Sequence, residues 1–378
     1  MVQAAYLHIP FCEQICHYCD FNKVFLQGQP VDEYLTSMDK ELKNTVKAYP
    51  PERMKTIFVG GGTPTVLSER QLEFLLASIN RYLIPREENL EFTFEANPGD
   101  LSEGKLKVLY NSGVNRLSFG VQTFDDELLK GIGRTHRQKD VYHTIELAKK
   151  VGFENISIDL MYALPHQTVE SFKESLDIAF SLDIEHVSAY SLIIEPKTVF
   201  YNLMRVGKLQ LPSQENEAVM YELLIKEMEK HHFHQYEISN FAKTGYESRH
   251  NLTYWNNDEY FGIGAGAHSY VDGKRITNAG PIKKYMSLID ENDFPYIDTH
   301  KVTTQEKMEE ELFLGLRKIA GVSIAHFKEK FNVNISNVFA QQIEEQKSKG
   351  LLEEVEGFLR LTHKGKFLGN EVFQAFLL

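Results

Sequence analysis

Two rhythms of apolar and polar positions alternate along residues 1–230. Short runs rich in β-branched and aromatic residues predict strands at Ala4–Ile9, Thr56–Val59, Leu90–Glu95, Val114–Phe119, Asn155–Leu160 and Val187–Leu192. Between them, apolar residues recur at the spacing of one helical face. That spacing predicts helices over Asp32–Lys47, Glu69–Tyr82, Glu103–Asn111, Gln138–Val151 and Val169–Ser181, with another at Gln214–His231. Strand and helix in turn, six times, is the pattern of parallel βα units. Runs such as Ile156–Leu160 are almost continuously apolar, as expected of a sheet covered on both faces. Six units are too few for a closed eightfold barrel, so a partial barrel or a doubly wound sheet is expected.

Past Asn240 the pattern changes. Tyr254–Tyr270 is rich in glycine and aromatics without a clean period, and the polar stretch Asp290–Thr299 reads as a linker. Helical spacing returns at Thr304–Lys318, Ser323–Phe331 and Ser336–Gly350. A small hairpin follows, Leu351–Glu354 and Phe358–Leu361 turning at Glu356-Gly357, and then Thr362–Phe376. Helices followed by a two-stranded wing suggest a winged-helix-like module. The expected division is therefore an α/β partial barrel over 1–240, a glycine- and aromatic-rich segment with linker over 241–298, and a smaller C-terminal helical domain over 299–378.

Composition narrows the function classes. The net charge is −12, and Glu309–Glu311 places acid on the wing module, so nucleic-acid binding is not expected and a scaffolding role is. The chain's start carries neither a basic nor an apolar leader, and no apolar run approaches a membrane span; a cytoplasmic protein is the expectation.

The three cysteines, Cys12, Cys16 and Cys19, lie within eight residues directly after the first strand. Three thiols cannot pair completely, which excludes a disulfide scaffold and points to a metal or cluster in a reducing compartment. Structural zinc normally takes four protein ligands, and the chain has no second cysteine pair; His8 or His17 would have to complete such a site. Three cysteines holding a [4Fe–4S] cluster leave one iron open to a reactant.

Cys-x3-Cys-x2-Cys after a first strand resembles the motif of the radical S-adenosylmethionine (radical SAM) superfamily. The resemblance implies a partial (β/α)6 barrel, a [4Fe–4S] cluster and SAM chelated at the open iron. It also implies reductive cleavage of SAM to methionine and a 5′-deoxyadenosyl radical, with sensitivity to oxygen.

Chemistry in parallel βα folds gathers at the C-terminal strand ends. There the chain places Gly60-Gly61-Gly62-Thr63, then Glu95-Ala96-Asn97-Pro98, then Gly120-Val121-Gln122, then Asp159 before Leu164-Pro165, with Arg134 following in Gly133-Arg134-Thr135-His136. The glycine triplet reads equally as a tight turn, and Arg134 as a surface residue. Glu, Gln and Asp on one rim suit the ribose and amino groups of a nucleoside. Taken in order, YxHIPFC, CxxC, GGGTPT, EANP, GVQTF, GRTH and DLMYALP resemble one group within the superfamily. That group contains the oxygen-independent coproporphyrinogen III dehydrogenases (HemN) and the HemW-like haem chaperones. The resemblance implies SAM contacts at Tyr6, Gly62, Thr63, Glu95, Gln122, Arg134 and Asp159, with Tyr18 against the cluster or SAM.

Two departures disfavour the dehydrogenase: Phe21 stands where its fourth cysteine would be, and its N-terminal extension is missing. His250-Asn251-Leu252-Thr253-Tyr254-Trp255 matches the HNxxYW motif of the chaperone branch. Histidine can ligate haem iron and the aromatics can face a macrocycle, although the same residues also suit an ordinary packed loop. Gly262–Ala267 lacks the strand–turn–helix setting of a dinucleotide loop and reads as backbone yielding space, with Ile263 near SAM. His231, His232 and His234 end a predicted helix, where histidine suits the dipole better than it suggests a metal.

The expected protein holds a cluster, SAM and haem, and by resemblance delivers haem to apo-haemoproteins such as respiratory ones. Membrane-associated recipients and a homodimer are left open. The alternative expectation is radical oxidative decarboxylation of coproporphyrinogen III to protoporphyrinogen IX.

Overall fold

The computed structural model describes residues 1–377; Leu378, the last residue of the expected C-terminal domain, lies outside them. Six parallel strands form the heart of the molecule: β1 (Ala4–Ile9), β2 (Met54–Gly61), β3 (Arg86–Ala96), β4 (Arg116–Gln122), β5 (Asn155–Tyr162) and β6 (His186–Ser191). Their crossovers carry α1 (Val31–Ala48), α2 (Glu69–Tyr82), α3 (Glu103–Asn111), α4 (Gln138–Val151) and α5 (Val169–Ser181), with α6 (Gln214–Lys230) after β6. Successive strands pair in parallel from β1 to β6.

Period-2 geometry sorts the strand residues onto two faces. Ile57, Val59, Phe92, Phe94, Leu117, Phe119, Ile156, Ile158 and Leu160 join the main apolar core beneath the helices. The alternate residues Thr56, Thr93, Ser118, Ser157, His186 and Ser188 are buried on the lumen side. The expectation of strands apolar on both faces is therefore corrected. The lumen is polar, and Ser157 shares a 2.7 Å hydrogen bond with His186, its register partner on the neighbouring strand.

The largest correction concerns the chain from His234 onward, the segment after Asn240 included. It extends the same sheet at both edges. Beyond β6 come β7 (His234–Glu237) and β8 (Asn240–Ala242). On the far side of β1 lie β9 (Tyr260–Ile263), β10 (His268–Val271), β11 (Lys274–Asn278) and β12 (Tyr296–Lys301). β9 runs parallel to β1, Tyr6 lying opposite Gly262; β10 to β12 return antiparallel. The strands have only four to six residues, too few to imprint a period. The expected linker at Asp290–Thr299 is instead the end of α8 (Ile282–Asn292) and most of β12. β12 is an exposed edge strand whose Tyr-Ile-Asp-Thr-His-Lys sequence looks like loop because water wets nearly all of it. The expected boundary at 298/299 thus cuts a strand.

Between β8 and β9, α7 (Arg249–Trp255) crosses the N-terminal end of the barrel. The C-terminal unit has its own apolar core, around Leu312, Phe327, Phe339 and Leu359. It consists of α9 (Thr304–Gly315), α10 (Ile324–Phe331), α11 (Ile335–Ser348) and the hairpin β13 (Leu352–Val355) and β14 (Phe358–Leu361). Glu356 and Gly357 turn the hairpin with φ of 51° and 81°. Thr362–Phe376, which follows the hairpin, holds two short helices, His363–Phe367 and Gly369–Gln374, separated by Leu368. Backbone hydrogen bonds from Ile238 to Arg317 and from Ile319 to Tyr236 tie this unit to the edge of the sheet.

Candidate functional site

A cavity of about 410 Å³ opens at the C-terminal ends of β1 to β6. Cys12, Cys16 and Cys19 all line it. The cysteine loop is closed by a two-residue parallel pairing of Phe11–Cys12 with Val24–Phe25. It is pinned further by His17, whose backbone N–H donates to Ile132 at 3.0 Å and whose Nδ1 lies 2.9 Å from the Gly131 carbonyl. Behind the loop, the Asn22 amide donates to the carbonyls of Ala265 and Gly280, and His8 Nε2 meets the Asn22 carbonyl at 2.7 Å. A side chain at Gly264 would lie 2.6 Å from the His8 carbonyl, so the Gly262–Ala267 segment makes room for the cysteine loop's support. Ile263 is buried in the core and does not line the cavity.

Around the thiols the rim motifs interlock. The Gly61 N–H donates to Glu95 Oε2 at 3.1 Å. A Cβ at Gly62 would come within 2.9 Å of the Cys12 sulfur, which is why the triplet's last residue carries no side chain. Thr63 Oγ1 donates to the same sulfur at 3.7 Å and accepts from Asn97 Nδ2 at 3.1 Å. Arg134 then joins the two sides, donating to Asn97 Oδ1 at 2.6 Å and to the Tyr18 hydroxyl at 2.9 Å. Gln122 adopts φ of 69° where β4 ends, and lines the cavity with Glu95, Arg134 and Asp159. Tyr6 is the exception among the expected contacts. Its hydroxyl meets His8 Nδ1 at 2.9 Å inside the lumen, and it lies off the cavity wall.

Burial sets the electrostatics. It pushes the Glu95 carboxyl up to about 8, Asp159 adding to the shift while the Gly61 N–H, Arg116 and Arg134 oppose it. Burial likewise raises Asp159, against hydrogen bonds from Ser188 and Ser118 and the charges of Arg116 and Arg134. The Cys12 thiol is pushed up to about 11, chiefly by burial. Arg134 keeps its Nε buried without a partner. Such an orphan donor, beside two costly buried carboxyls, marks a wall built to meet polar groups of a ligand. Among the described residues no three His, Cys, Asp or Glu side chains gather about a point that could hold one metal ion. The thiols surround a cavity, and their donor set suits a multi-iron cluster.

The motif at residues 250–255 lies at the other end of the barrel. Glu91 caps α7, accepting from the N–H groups of Arg249 (2.8 Å) and His250 (3.0 Å), a carboxylate at a helix N-terminus. His250 and Tyr254, four residues apart, consequently share the lumen-facing side. His250 Nδ1 meets Thr56 Oγ1 at 2.8 Å and Nε2 meets the Tyr254 hydroxyl at 2.9 Å; the ring stacks on Phe58 at 5.1 Å. Burial, with help from Arg116, pushes its pKa down to about 3. With both nitrogens engaged and 1% exposure, His250 is not presented to a ligand, contrary to the expectation of an iron-binding histidine. Trp255 lies under the Arg317 guanidinium at 4.4 Å.

Residues 6–179 match the model of the radical SAM superfamily, and residues 302–368 that of the HemN C-terminal domain. Over 376 residues the chain is 59% identical to the heme chaperone HemW of Bacillus subtilis (strain 168), covering 100% of this chain and 99% of that one. The chain belongs to the HemW family of radical SAM proteins. It is also 47% identical to the heme chaperone HemW of Lactococcus lactis subsp. lactis (strain IL1403), covering 99% and 97% of the two chains. The fold matches the solved coproporphyrinogen III oxidase (HemN) from Escherichia coli with a TM-score of 0.87 at 22% identity, over 99% of this chain and 90% of that one. The radical SAM match implies a [4Fe–4S] cluster and SAM, and the thiol-lined cavity with its orphan Arg134 donor fits both.

Several cavity residues had not been assigned a role from the sequence: Asn97, Ser118, Tyr190 and Ile193. Asn97 was within reach, since it stands two residues after Glu95 in the EANP motif. Tyr190 and Ile193 come from the sixth strand end, whose residues carry no motif.

Proposed function

We propose that this protein binds haem and transfers it to haemoproteins that lack it, with a [4Fe–4S] cluster and SAM at the C-terminal rim of the barrel. The supporting observation is identity of 59% along essentially the full length of a protein named as a heme chaperone. Cys12, Cys16 and Cys19 would hold the cluster, and Gly62, Thr63, Glu95, Gln122, Arg134 and Asp159 would hold SAM. When bound, the pair supplies one-electron reduction of a sulfonium.

The chain's own residues prepare that end for a cationic, zwitterionic ligand. Glu95 and Asp159 face the cavity as acceptors, and a cationic amino group would draw both toward the ionised form. Arg134 is fixed by Asn97 and Tyr18, so a ligand carboxylate or hydroxyl would meet a preset donor. Phe21, 66% exposed on the cavity mouth, offers no fourth thiolate.

The test is transfer under anaerobic conditions. Reconstituted protein loaded with haem is mixed with an apo-haemoprotein, and the recipient's Soret band is followed. Haem should move to the recipient faster than from free haem-scavenging albumin. In parallel, coproporphyrinogen III, SAM and reductant should yield no protoporphyrinogen; catalytic formation of that product, without haem transfer, would replace this reading by oxidative decarboxylation.

A further inference from the structure

A second cavity, about 870 Å³, lies at the N-terminal ends of the strands. It sits between the barrel, the outer face of α7 and the C-terminal unit, and it is separate from the thiol-lined cavity. Its size is within the range of ligand pockets, roughly 300–1,000 Å³. Leu252 and Phe331 form apolar wall, and Asn256 and Asn257 polar wall.

Its charges are unequal in their commitments. Arg249 pairs with Glu87 at 2.9 Å, and Lys330 with the buried Glu311 at 2.7 Å. The amino terminus stands 3.9 Å from Glu259. Lys55, near the start of β2, and Lys307, on α9, have no ion-pair partner among the described residues, and both are half-buried on the wall. Three carboxylates share the wall: Glu87 is held by Arg249, Glu259 lies near the amino terminus, and Asp258, without an ion pair of its own, feels the charge of Lys55. Two free ammonium groups reaching from different domains across a partly apolar pocket suit an amphipathic dianion.

We propose that this interdomain cavity holds the haem, with Lys55 and Lys307 receiving its two propionates; the identity of the ligand rests on the function proposed above. Size favours this placement, because the 410 Å³ cavity at the other end is occupied in function by a cluster and SAM. The lining residues include no histidine or cysteine; only the Met1 thioether and the Tyr270 phenol could approach the iron, and the lysines grip the carboxylates. A grip of that kind suits a carrier that must release its cargo. The HNxxYW helix then contributes its outer face, Leu252 and Asn256, while His250 and Tyr254 brace it from within.

The test uses the full chain, cluster-loaded, titrated with iron protoporphyrin IX and with its dimethyl ester. Joint substitution Lys55→Glu and Lys307→Glu should raise the haem dissociation constant at least about tenfold, as loss of charge-assisted hydrogen bonds does. Lys55→Arg with Lys307→Arg should bind like wild type. The ester should bind wild type more weakly than haem, and the Glu variant should bind the two alike. Unchanged melting temperature and SAM affinity establish that the variants are folded. Haem binding by the Glu variant as tight as wild type overturns the cavity assignment and leaves the proposed function standing. Failure of the wild-type chain to bind haem at all overturns both.

Discussion

The two ends of the barrel use motif residues in opposite ways. At the C-terminal rim, residues from five strand ends and the cysteine loop after β1 converge on one cavity, with Glu95 and Asp159 raised by burial and the Arg134 Nε unpartnered. At the N-terminal end, His250 and Tyr254 satisfy each other, Thr56 and the lumen, and the free groups are lysines outside the motif. On the proposed function, a motif marks a ligand contact where some of its polar atoms remain unpartnered, as the Arg134 Nε does. Where they are committed it marks the piece of scaffold that shapes the neighbouring wall.

The largest effect that would break this contrast is on the cluster. Cys16→Ala should abolish iron and sulfide retention and the broad visible absorbance after anaerobic reconstitution; iron content equal to wild type would remove the thiol cavity from the account. Next, Glu95→Ala should weaken SAM binding by about tenfold or more, the value of a charge-assisted hydrogen bond, with iron content intact. His250→Ala should leave SAM affinity and the position of the haem Soret band unchanged; a shifted Soret band would restore His250 as an iron ligand.

The two ends should also differ in pH dependence. Glu95 has its carboxyl raised to about 8, so its contribution to stability is present below the unfolded value near 4.5 and is lost as pH rises toward 8. His250 is depressed to about 3, so its contribution is present above about 6.5 and is lost as pH falls toward 3. Glu95→Gln should flatten the alkaline limb of the melting-temperature profile and His250→Gln the acid limb. A single limb altered by both would mean that the ends titrate as one network through Arg116. The smallest effect is Thr56→Val, which removes the hydroxyl on His250 Nδ1 and should cost about 1 kcal/mol of stability in denaturant unfolding.

Much of this was legible in the chain. α2, α3 and α5 begin after Ser68, Ser102 and Thr168, each of which caps its helix, so a polar cap before an apolar period located them. The rim was legible because strand ends share an address in parallel folds. Two things were not. The four- to six-residue strands after Asn240 carry no period, and the exposed β12 looks like linker. The facing of α7 also escaped, because it depends on Glu91, distant in sequence, accepting its first N–H groups. Helix spacing put His250 and Tyr254 on one side; only the packing says that this side is the lumen.

The most direct measurement compares haem affinity in the reconstituted wild type and in Cys16→Ala, titrated anaerobically under the same conditions. Separate ends predict equal dissociation constants although one protein has lost its iron. Haem binding that disappears with the cluster would contradict the account and place the cargo at the thiol-lined rim.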